Sequence, residues 1–266
     1  MHEVSLVDRV GASALSFLQF VGALASFGAR AVVDALKPPY EAGEILRHVF
    51  QFGWRSAPLI LTSGFAVGVV LSMHTRATLA RFGAEAMIPA GLALALVRET
   101  GPLTAALLLS GRIGAGIGAE IGAMRVTEQI DALEANAVDA FKFLVVTRTI
   151  ACMLAMPLLT TLMNFAGIFG GYVAETAVSG MPWRLYFERS FLYLGYSDLI
   201  PATLKTIVFG YLIAVVAGYL GFNTSRGTEG VGEASTRSVV MASILIILSD
   251  VILVKIIFFF YPQVRA

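Results

Sequence analysis

The sequence predicts an all-α polytopic membrane protein. Of its 266 residues, 57% are hydrophobic and 14% are charged, whereas soluble domains carry about 25% charged residues. Several apolar stretches reach the roughly 20 residues that an α-helix needs to cross a bilayer. The formal net charge of +1 gives no basic face of the kind found in nucleic-acid-binding proteins. We therefore expect no nucleic acid as a partner.

The N-terminal region, residues 1–56, is predicted to contain an amphipathic helix that lies along the membrane interface. Glu3 and Asp8 accompany Arg9, so this region lacks the basic start of a signal peptide. Its long apolar side is interrupted by Ser, Gln and Arg residues, a pattern that is typical of an interfacial helix. An ordinary first transmembrane helix is the alternative.

Residues 57–266 are predicted to form one domain of about five transmembrane helices. Four stretches are long and apolar enough for a span, at 86–111, 144–173, 199–222 and 239–261. A fifth stretch, 57–74, is shorter and contains Gly64 and Gly68. We expect a kinked or partly re-entrant span there.

The distribution of basic residues predicts an inside N-terminus and an outside C-terminus, because inner connections are enriched in Lys and Arg. With five spans, eleven basic residues fall on the inner side and five on the outer side. The inner group is Arg9, Arg30, Lys37, Arg47, Arg55, Arg112, Arg125, Lys142, Arg148, Arg226 and Arg237, and the outer group is Arg76, Arg81, Arg184, Arg189 and Arg265. The aromatic residues at 258–262 fit an interfacial belt where the last span ends.

The connection after the second span combines a small-residue face with an amphipathic pattern. Gly114, Gly118 and Gly122 are spaced four apart and share one helical face, which lets another backbone approach closely. Beyond them, one apolar stripe is formed by Val126, Ile130, Leu133 and Ala137. We expect a helix over about 120–137 on the cytoplasmic side, either docked on a soluble partner or lying in the interface with a solvated face.

Four ionisable residues fall within the predicted spans: Arg98, Glu99, Lys205 and Asp250. A charge at the bilayer centre costs about 2.5–3.5 kcal/mol on insertion scales. Two interpretations explain their presence, namely buried ion pairs that join helices, or charges that face a cavity and meet a polar head group. Because Pro102 cannot donate a backbone hydrogen bond, the Gly101-Pro102 step predicts a local helix break beside them.

The sequence contains no motif for catalysis or metal binding. It has no Gly-Lys dipeptide, no HExxH and no Gly-x-Ser-x-Gly, and its three histidines are scattered. The single cysteine, Cys152, excludes an internal disulfide and is expected to pack as a small hydrophobe. We therefore expect neither catalytic residues nor a metal site.

One long segment carries a family resemblance. Residues 98–134, RETGPLTAALLLSGRIGAGIGAEIGAMRVTEQIDALE, closely resemble the signature of the MlaE/YrbE permeases, the membrane subunits of bacterial ABC-type lipid transporters. YLGYSDLIPATLKTIVFG and GYLGFNTSRGTEGVGEASTRSVVMAS resemble that family's fourth span and following loop. The resemblance extends from about residue 57 to the C-terminus. Thr100 and Glu233 depart from it, since the family commonly has Leu and a basic residue at these positions.

The resemblance implies a homodimeric permease of the bacterial inner membrane, with a cytoplasmic N-terminus and a periplasmic C-terminus. The helix near 120–137 would be a coupling helix on a separate ABC ATPase, which would bind ATP and Mg²⁺, so this chain would need no cofactor. A periplasmic MCE-domain lipid-binding protein would cap the other side. The cargo would be a phospholipid or related lipid moved between the inner membrane and an outer envelope layer.

The resemblance also implies roles for individual residues. Arg98, Glu99, Lys205 and Asp250 would line a central cavity, with Arg98 the candidate for phosphate because its planar fork holds two oxygens. Leu71, Leu79 and Phe82 are candidates to line the acyl path, with ordinary packing as the alternative. The expected ATPase-coupling residues are Glu120, Met124, Arg125, Thr127, Glu128 and Gln129.

Two other classes of function are weighed against this one. An ion-coupled secondary transporter would use Glu99 or Asp250 to carry protons, and it predicts internal repeats with broken helices, which the sequence does not contain. An intramembrane enzyme acting on lipid would need a nucleophile and a base, for which no pattern is present.

Overall fold

A computed structural model of the chain describes the backbone of residues 6–225 and 227–260, with side chains described at 15, 16 and from 18 onward in those ranges. Every regular element in these ranges is helical, which confirms the all-α prediction. The side chain of Arg9 and all of Arg226, Arg265 and the end of the predicted aromatic belt at 261–262 lie outside the described residues.

Within residues 6–225 and 227–260 there are ten α-helices, numbered in chain order. They are α1 (Leu6–Ala35), α2 (Ala42–Leu79), α3 (Ile88–Ala95), α4 (Gly101–Leu109), α5 (Ala115–Val126), α6 (Gln129–Ala135), α7 (Thr147–Ser179), α8 (Trp183–Phe191), α9 (Tyr196–Phe222) and α10 (Gly227–Phe260). The remaining turns are 3-10 helical at Ala80–Phe82 and Glu85–Met87, and π-helical at Leu96–Thr100, Ser110–Gly114 and Lys142–Val146.

Among the described residues, six helical stretches are long and apolar enough to cross a membrane. They are Leu18–Ala35, Ala42–Phe82, Glu85–Val126, Lys142–Ser179, Tyr196–Phe222 and Gly227–Phe260. Five of them contain the predicted spans, apart from residue 261, which lies outside the described residues, and the sixth lies in the N-terminal region. The polytopic prediction is therefore confirmed. The interfacial position of that N-terminal helix stays a prediction.

The two ends of the bundle are named here after the short helices that lie there. α6 and α8 are separated along the chain by the 33 residues of α7, so α6 marks one end and α8 the other. α1 packs at the α6 end, where Phe27 makes edge-to-face contacts with Phe141 and Tyr219 at ring distances of 4.9 and 5.5 Å. Gly28 lies against Tyr211 of α9.

The shortest predicted span is neither kinked out of the membrane nor re-entrant. α2 runs without interruption over 38 residues. Gly64 and Gly68 lie against the α7 backbone at Met163 and Gly167, where any side chain would collide. The expectation of a re-entrant turn was wrong because these glycines permit close helix contact and do not bend the chain.

The predicted helix break at Gly101-Pro102 is also wrong. α3, the π turn Leu96–Thr100 and α4 follow one another directly. Pro102 directly follows the π turn, whose wider hydrogen-bonding pattern accommodates a residue without a backbone N–H. Because of the π turn, the helix continues from α3 into α4 despite the proline.

The connection predicted as one helix over 120–137 is divided. α5 ends at Val126, Glu128 adopts a left-handed conformation with φ of 59°, and α6 begins at Gln129. Ile130 is fully buried and fixes α6 on the bundle, whereas Ala137, predicted to share its stripe, is exposed. The small-residue face before the turn is confirmed, since Gly118 lies against Ser238 of α10 and Gly122 against Thr224.

Candidate functional site

Five ionisable side chains form what we call the charged cluster, at the junction of the π turn Leu96–Thr100 with α9 and α10. Its members are Arg98, Glu99, Asp198, Lys205 and Asp250. Lys205 Nζ donates to Glu99 Oε2 at 2.5 Å and lies 3.1 Å from Asp250 Oδ1, the latter without hydrogen-bond geometry. The Lys205 side chain is 1% exposed and that of Glu99 is 46% exposed. One buried cation therefore pairs with two carboxylates from different elements.

Arg98 has a different partner. Its Nε and Nη2 atoms both lie 2.8 Å from Asp198 Oδ1. Asp198 Oδ2 also accepts the backbone N–H of Gly195 at 2.9 Å, the group just before α9 begins. The same carboxylate thus caps α9 and holds the guanidinium.

The sequence analysis missed Asp198. A signal for it exists, because an acidic residue three positions after a helix cap is placed to accept orphan N–H groups of the first turn. The adjacent Arg98 and Glu99 can reach separate partners because consecutive helical residues do not face each other. Arg98 reaches the start of α9, and Glu99 reaches Lys205 two turns further along it.

The exposed part of the charged cluster opens into a cleft of about 300 Å³. Arg98, Glu99 and Asp198 supply its charged wall, and its apolar wall is formed by Leu94, Ala95, Pro201, Ala202, Val254, Ile257 and Phe258. A neighbouring apolar cleft of about 520 Å³ has Lys205 at its edge and shares Pro201 and Ile257 with the first. Charged groups thus meet a long apolar surface, which is the pattern that an amphiphilic ligand requires.

The predicted acyl-path residues lie on α2 and the turn after it. Leu71 packs against the buried cluster that contains Leu92 and Tyr186, which is an ordinary packing role. Leu79 is half-buried at the end of α2, and Phe82 is 80% exposed in the following 3-10 turn. Their contact with an acyl chain stays a prediction.

The predicted coupling residues separate into two groups. Thr127, Glu128 and Gln129 form an exposed turn at the α6 end, and Arg125 pairs with Asp131 beside it at 2.7 Å. Met124 instead packs against the main core. Glu120 pairs with Arg148 at 2.9 Å and faces a separate cleft.

The sequence analysis did not predict two further ion pairs that each have a buried member, Arg76–Glu175 and Arg148–Glu120. Glu175, 1% exposed, receives both Nε and Nη2 of Arg76 and so joins α7 to α2 at the α8 end. Arg148, counted in the sequence with the inner connections, is 4% exposed on α7. Cys152 is buried in the main core as a free thiol, which confirms its packing role.

The family model and the similar proteins indicate the same family. Residues 45–256 match the family model Permease MlaE. The chain is 36% identical over 255 residues to a probable ABC transporter permease protein of Rickettsia typhi, covering 96% of this chain and 98% of that protein. It is 30% identical over 263 residues to the intermembrane phospholipid transport system permease protein MlaE of Haemophilus influenzae, with the same coverage. It is 31% identical over 222 residues to Protein TRIGALACTOSYLDIACYLGLYCEROL 1, chloroplastic, of Arabidopsis thaliana, covering 84% of this chain and 63% of that protein.

The matched region contains every member of the charged cluster, from Arg98 to Asp250. It also contains the exposed turn before α6 and five of the six candidate spans, apart from the first residues of α2 and the last residues of α10. The chain therefore belongs to the MlaE family and is a multi-pass ABC transporter permease subunit, not itself an enzyme.

Proposed function

We propose that this chain is the membrane subunit of an ATP-driven phospholipid transporter in the bacterial inner membrane, and that the charged cluster holds the lipid head group. The observation that carries the proposal is the partial exposure of Arg98 and Glu99, by 34% and 46% of their side chains, in a cleft with mainly apolar walls. The Haemophilus influenzae relative is named for intermembrane phospholipid transport, which supports the same cargo.

The two exposed groups have opposite charge, so a zwitterionic head group would find a partner for each of its charges. Asp198 fixes the guanidinium of Arg98 from one side, and a phosphate oxygen would bind where the guanidinium is exposed. Glu99 is held by Lys205 and can accept from a head-group ammonium. The apolar cleft along α9 and α10 would receive acyl chains.

A second copy of the chain would convert this open cleft into a central cavity. α10 carries a long row of exposed apolar side chains: Val240, Ile244, Ile247, Leu248, Val251, Ile252, Ile256 and Phe259. In a homodimer some of these would face the partner copy, and the charged clusters of both copies would then face one cavity instead of acyl chains. We propose that an MCE-domain protein caps this cavity at the periplasmic side.

The α6 end is the proposed cytoplasmic end and the docking site of a separate ATPase. The exposed turn at Thr127–Gln129 and the charged face of α6 stand out from a helix that Ile130 fixes to the core. A rigidly anchored short helix can transmit movement of a bound ATPase to α5 and the charged cluster beyond it. The N-terminus would share this side with α6.

The experiment is purification of the tagged chain with its native partners in mild detergent, followed by mass spectrometry of proteins and bound lipids. We expect an ATPase, an MCE-domain protein and phospholipid to accompany the chain. Arg98→Gln is expected to reduce bound phospholipid without loss of the assembled complex. Lys255→Gln is the matched control. Lys255 is an exposed cation on α10, close in sequence to the cleft residues Val254 and Ile257, but it does not itself line the cleft.

Two results would refute the proposal. Unchanged lipid content in the Arg98→Gln complex would show that the charged cluster does not hold the head group. Flux driven by a pH gradient in vesicles that contain the chain and no ATPase would favour ion-coupled transport instead, and Glu99 and Asp250 would then be the residues to titrate.

A further inference from the structure

A second polar cleft, here called the basic cleft, lies at the α6 end between α2 and the start of α5. Its volume is about 480 Å³. The lining residues that matter here are Gln51, Arg55, Ser56, Arg112, Gly116 and Glu120. It shares no lining residue with the two clefts at the charged cluster, so it is a separate place on the molecule.

The basic cleft has an excess of positive charge. The side chains of Arg55 and Arg112 make no hydrogen bond or ion pair with any residue that the structure describes. Glu120 could offset one of them, but it is already paired with the buried Arg148 at 2.9 Å. Two cations on neighbouring helices therefore face a cavity in which the carboxylate named among the lining residues, Glu120, already pairs with Arg148.

A buried hydroxyl adds a second, independent feature. Ser56 lines the cleft although it is 0% exposed, and its Oγ atom has no hydrogen-bond partner among the described residues. Buried polar groups are nearly always hydrogen-bonded. A ligand oxygen in the cleft would supply the missing acceptor.

The local backbone leaves room for such a ligand. Arg112 lies in the π turn Ser110–Gly114, and π turns inside helices are frequent at functional sites. One turn further, Gly116 lines the cleft with open space where a side chain would be. The cleft thus has a cation on each wall and no side chain at Gly116 to fill it.

The surface beside the basic cleft indicates that its ligand comes from the bilayer. Leu46, Phe50 and Trp54 form an exposed apolar stripe on α2, with 68%, 70% and 73% exposure, and the rings of Phe50 and Trp54 are stacked. Trp54 directly precedes Arg55. Exposed tryptophan next to arginine is typical of the membrane–water interface, and basic pockets between transmembrane helices bind anionic lipid head groups.

We propose that the basic cleft binds the phosphodiester head group of an anionic diacyl lipid from the leaflet at the α6 end, as a resident lipid distinct from the transported one. Arg55 and Arg112 would hold the phosphate oxygens in charge-assisted hydrogen bonds. Ser56 would donate to the same group. The site does not depend on the transport proposal, because none of its residues belongs to the charged cluster.

The test uses Trp54 as a reporter in the full-length chain. Trp183→Phe removes the other tryptophan of the sequence, and the protein is placed in nanodiscs that contain brominated phosphatidylglycerol or brominated phosphatidylcholine. Quenching of Trp54 then gives the relative affinity of the two lipids for this surface. We expect a preference for phosphatidylglycerol of about fivefold for each arginine, which the double variant Arg55→Gln/Arg112→Gln abolishes.

Matched variants separate a site from general surface charge. Arg125→Gln removes an arginine at the same end that Asp131 already neutralises, and the preference should survive it. Gly116→Leu fills the cleft and should abolish the preference with both arginines present. Gly111→Leu, which also enters open space outside the cleft, should not.

Three outcomes would overturn the proposal. A preference that persists in the double arginine variant would put the head group elsewhere. A preference that Gly116→Leu leaves intact would mean diffuse attraction to the surface and no bound lipid in the cleft. Relief of quenching by added inorganic phosphate would identify a site for free phosphate, because acyl chains should keep a bilayer lipid in place.

Discussion

Lys205 and Glu99 form an ion pair of 2.5 Å in which the lysine is buried and the carboxylate is half-exposed. Asp250 lies 3.1 Å from the same ammonium. Lys205 therefore binds the π turn Leu96–Thr100 to α10 through α9, and its removal would leave two carboxylates facing each other in an apolar environment.

This relationship predicts that Lys205→Met is strongly destabilising. Breaking a buried ion pair by removing one partner costs about 3–5 kcal/mol, because a buried charge is left uncompensated. Glu99→Gln is the matched control, since it keeps a hydrogen-bond acceptor and the Lys205–Asp250 pair and should cost about 1 kcal/mol. The measurement is the free energy of unfolding of the full chain in mixed detergent micelles. If both variants lowered the free energy of unfolding equally, Lys205 would not be more important to stability than Glu99.

A second prediction separates the two roles of Asp198. Asp198→Asn keeps an oxygen for the N–H of Gly195 but loses the charge that holds Arg98, so it should cost less stability than Asp198→Ala and should release bound phospholipid from the purified complex. Asp198→Ala also loses the cap of α9, which should lower the free energy of unfolding by about a further 1 kcal/mol. The two variants are compared by thermal unfolding and by lipid mass spectrometry. If Asp198→Asn kept its full lipid content, Asp198 would be a cap alone.

The sequence was sufficient for the spans and for the membrane-embedded charges. Apolar length identifies a span without knowledge of its neighbours, and Arg98, Glu99, Lys205 and Asp250 are conspicuous because their surroundings are apolar. Ion pairing among them was one of the two interpretations of the sequence, but the choice of partners was not predictable, since about 100 residues separate Arg98 from Asp198 and Glu99 from Lys205.

The errors have a common physical cause. Glu175 and Asp198 lie near the ends of spans, where a charge looks like part of a polar connection, and only the folded chain shows that each is buried against an arginine. Gly64 and Gly68 are compatible with a bend or with close contact, and the position of α7 decides between them. Pro102 was compatible with a break until the π turn supplied another solution.

A third prediction concerns the contact of α2 with α7. Gly68→Leu would direct its side chain into the backbone of Gly167, where no rotamer change can relieve the collision, so we expect a loss of at least about 3 kcal/mol, the upper range for overpacking. Gly53→Leu on the same helix enters open space and should be neutral or slightly stabilising, because glycine is a poor helix former. Detergent-resistant yield and unfolding free energy measure both. Comparable yields would mean that α2 and α7 are not in close contact.

The last prediction concerns the exposed turn before α6. The double variant Arg125→Glu/Glu128→Lys reverses two charges without changing the net charge, and we expect at least about tenfold weaker ATPase binding, together with ATP hydrolysis that no longer responds to the permease. The assembled dimer should persist, because neither residue is buried.

Two control variants make this result specific to docking. Arg125→Glu also breaks the pair with Asp131, so Arg125→Glu/Asp131→Arg restores an ion pair within the chain with its charges exchanged. Glu128→Gly removes the side chain but favours the left-handed backbone at φ of 59°, since glycine has no steric penalty there. If Glu128→Gly binds the ATPase weakly while its unfolding free energy is unchanged or higher, the turn contributes through its side chain. If the ATPase binds all of these variants as it binds the parent chain, its docking surface lies elsewhere on the α6 end.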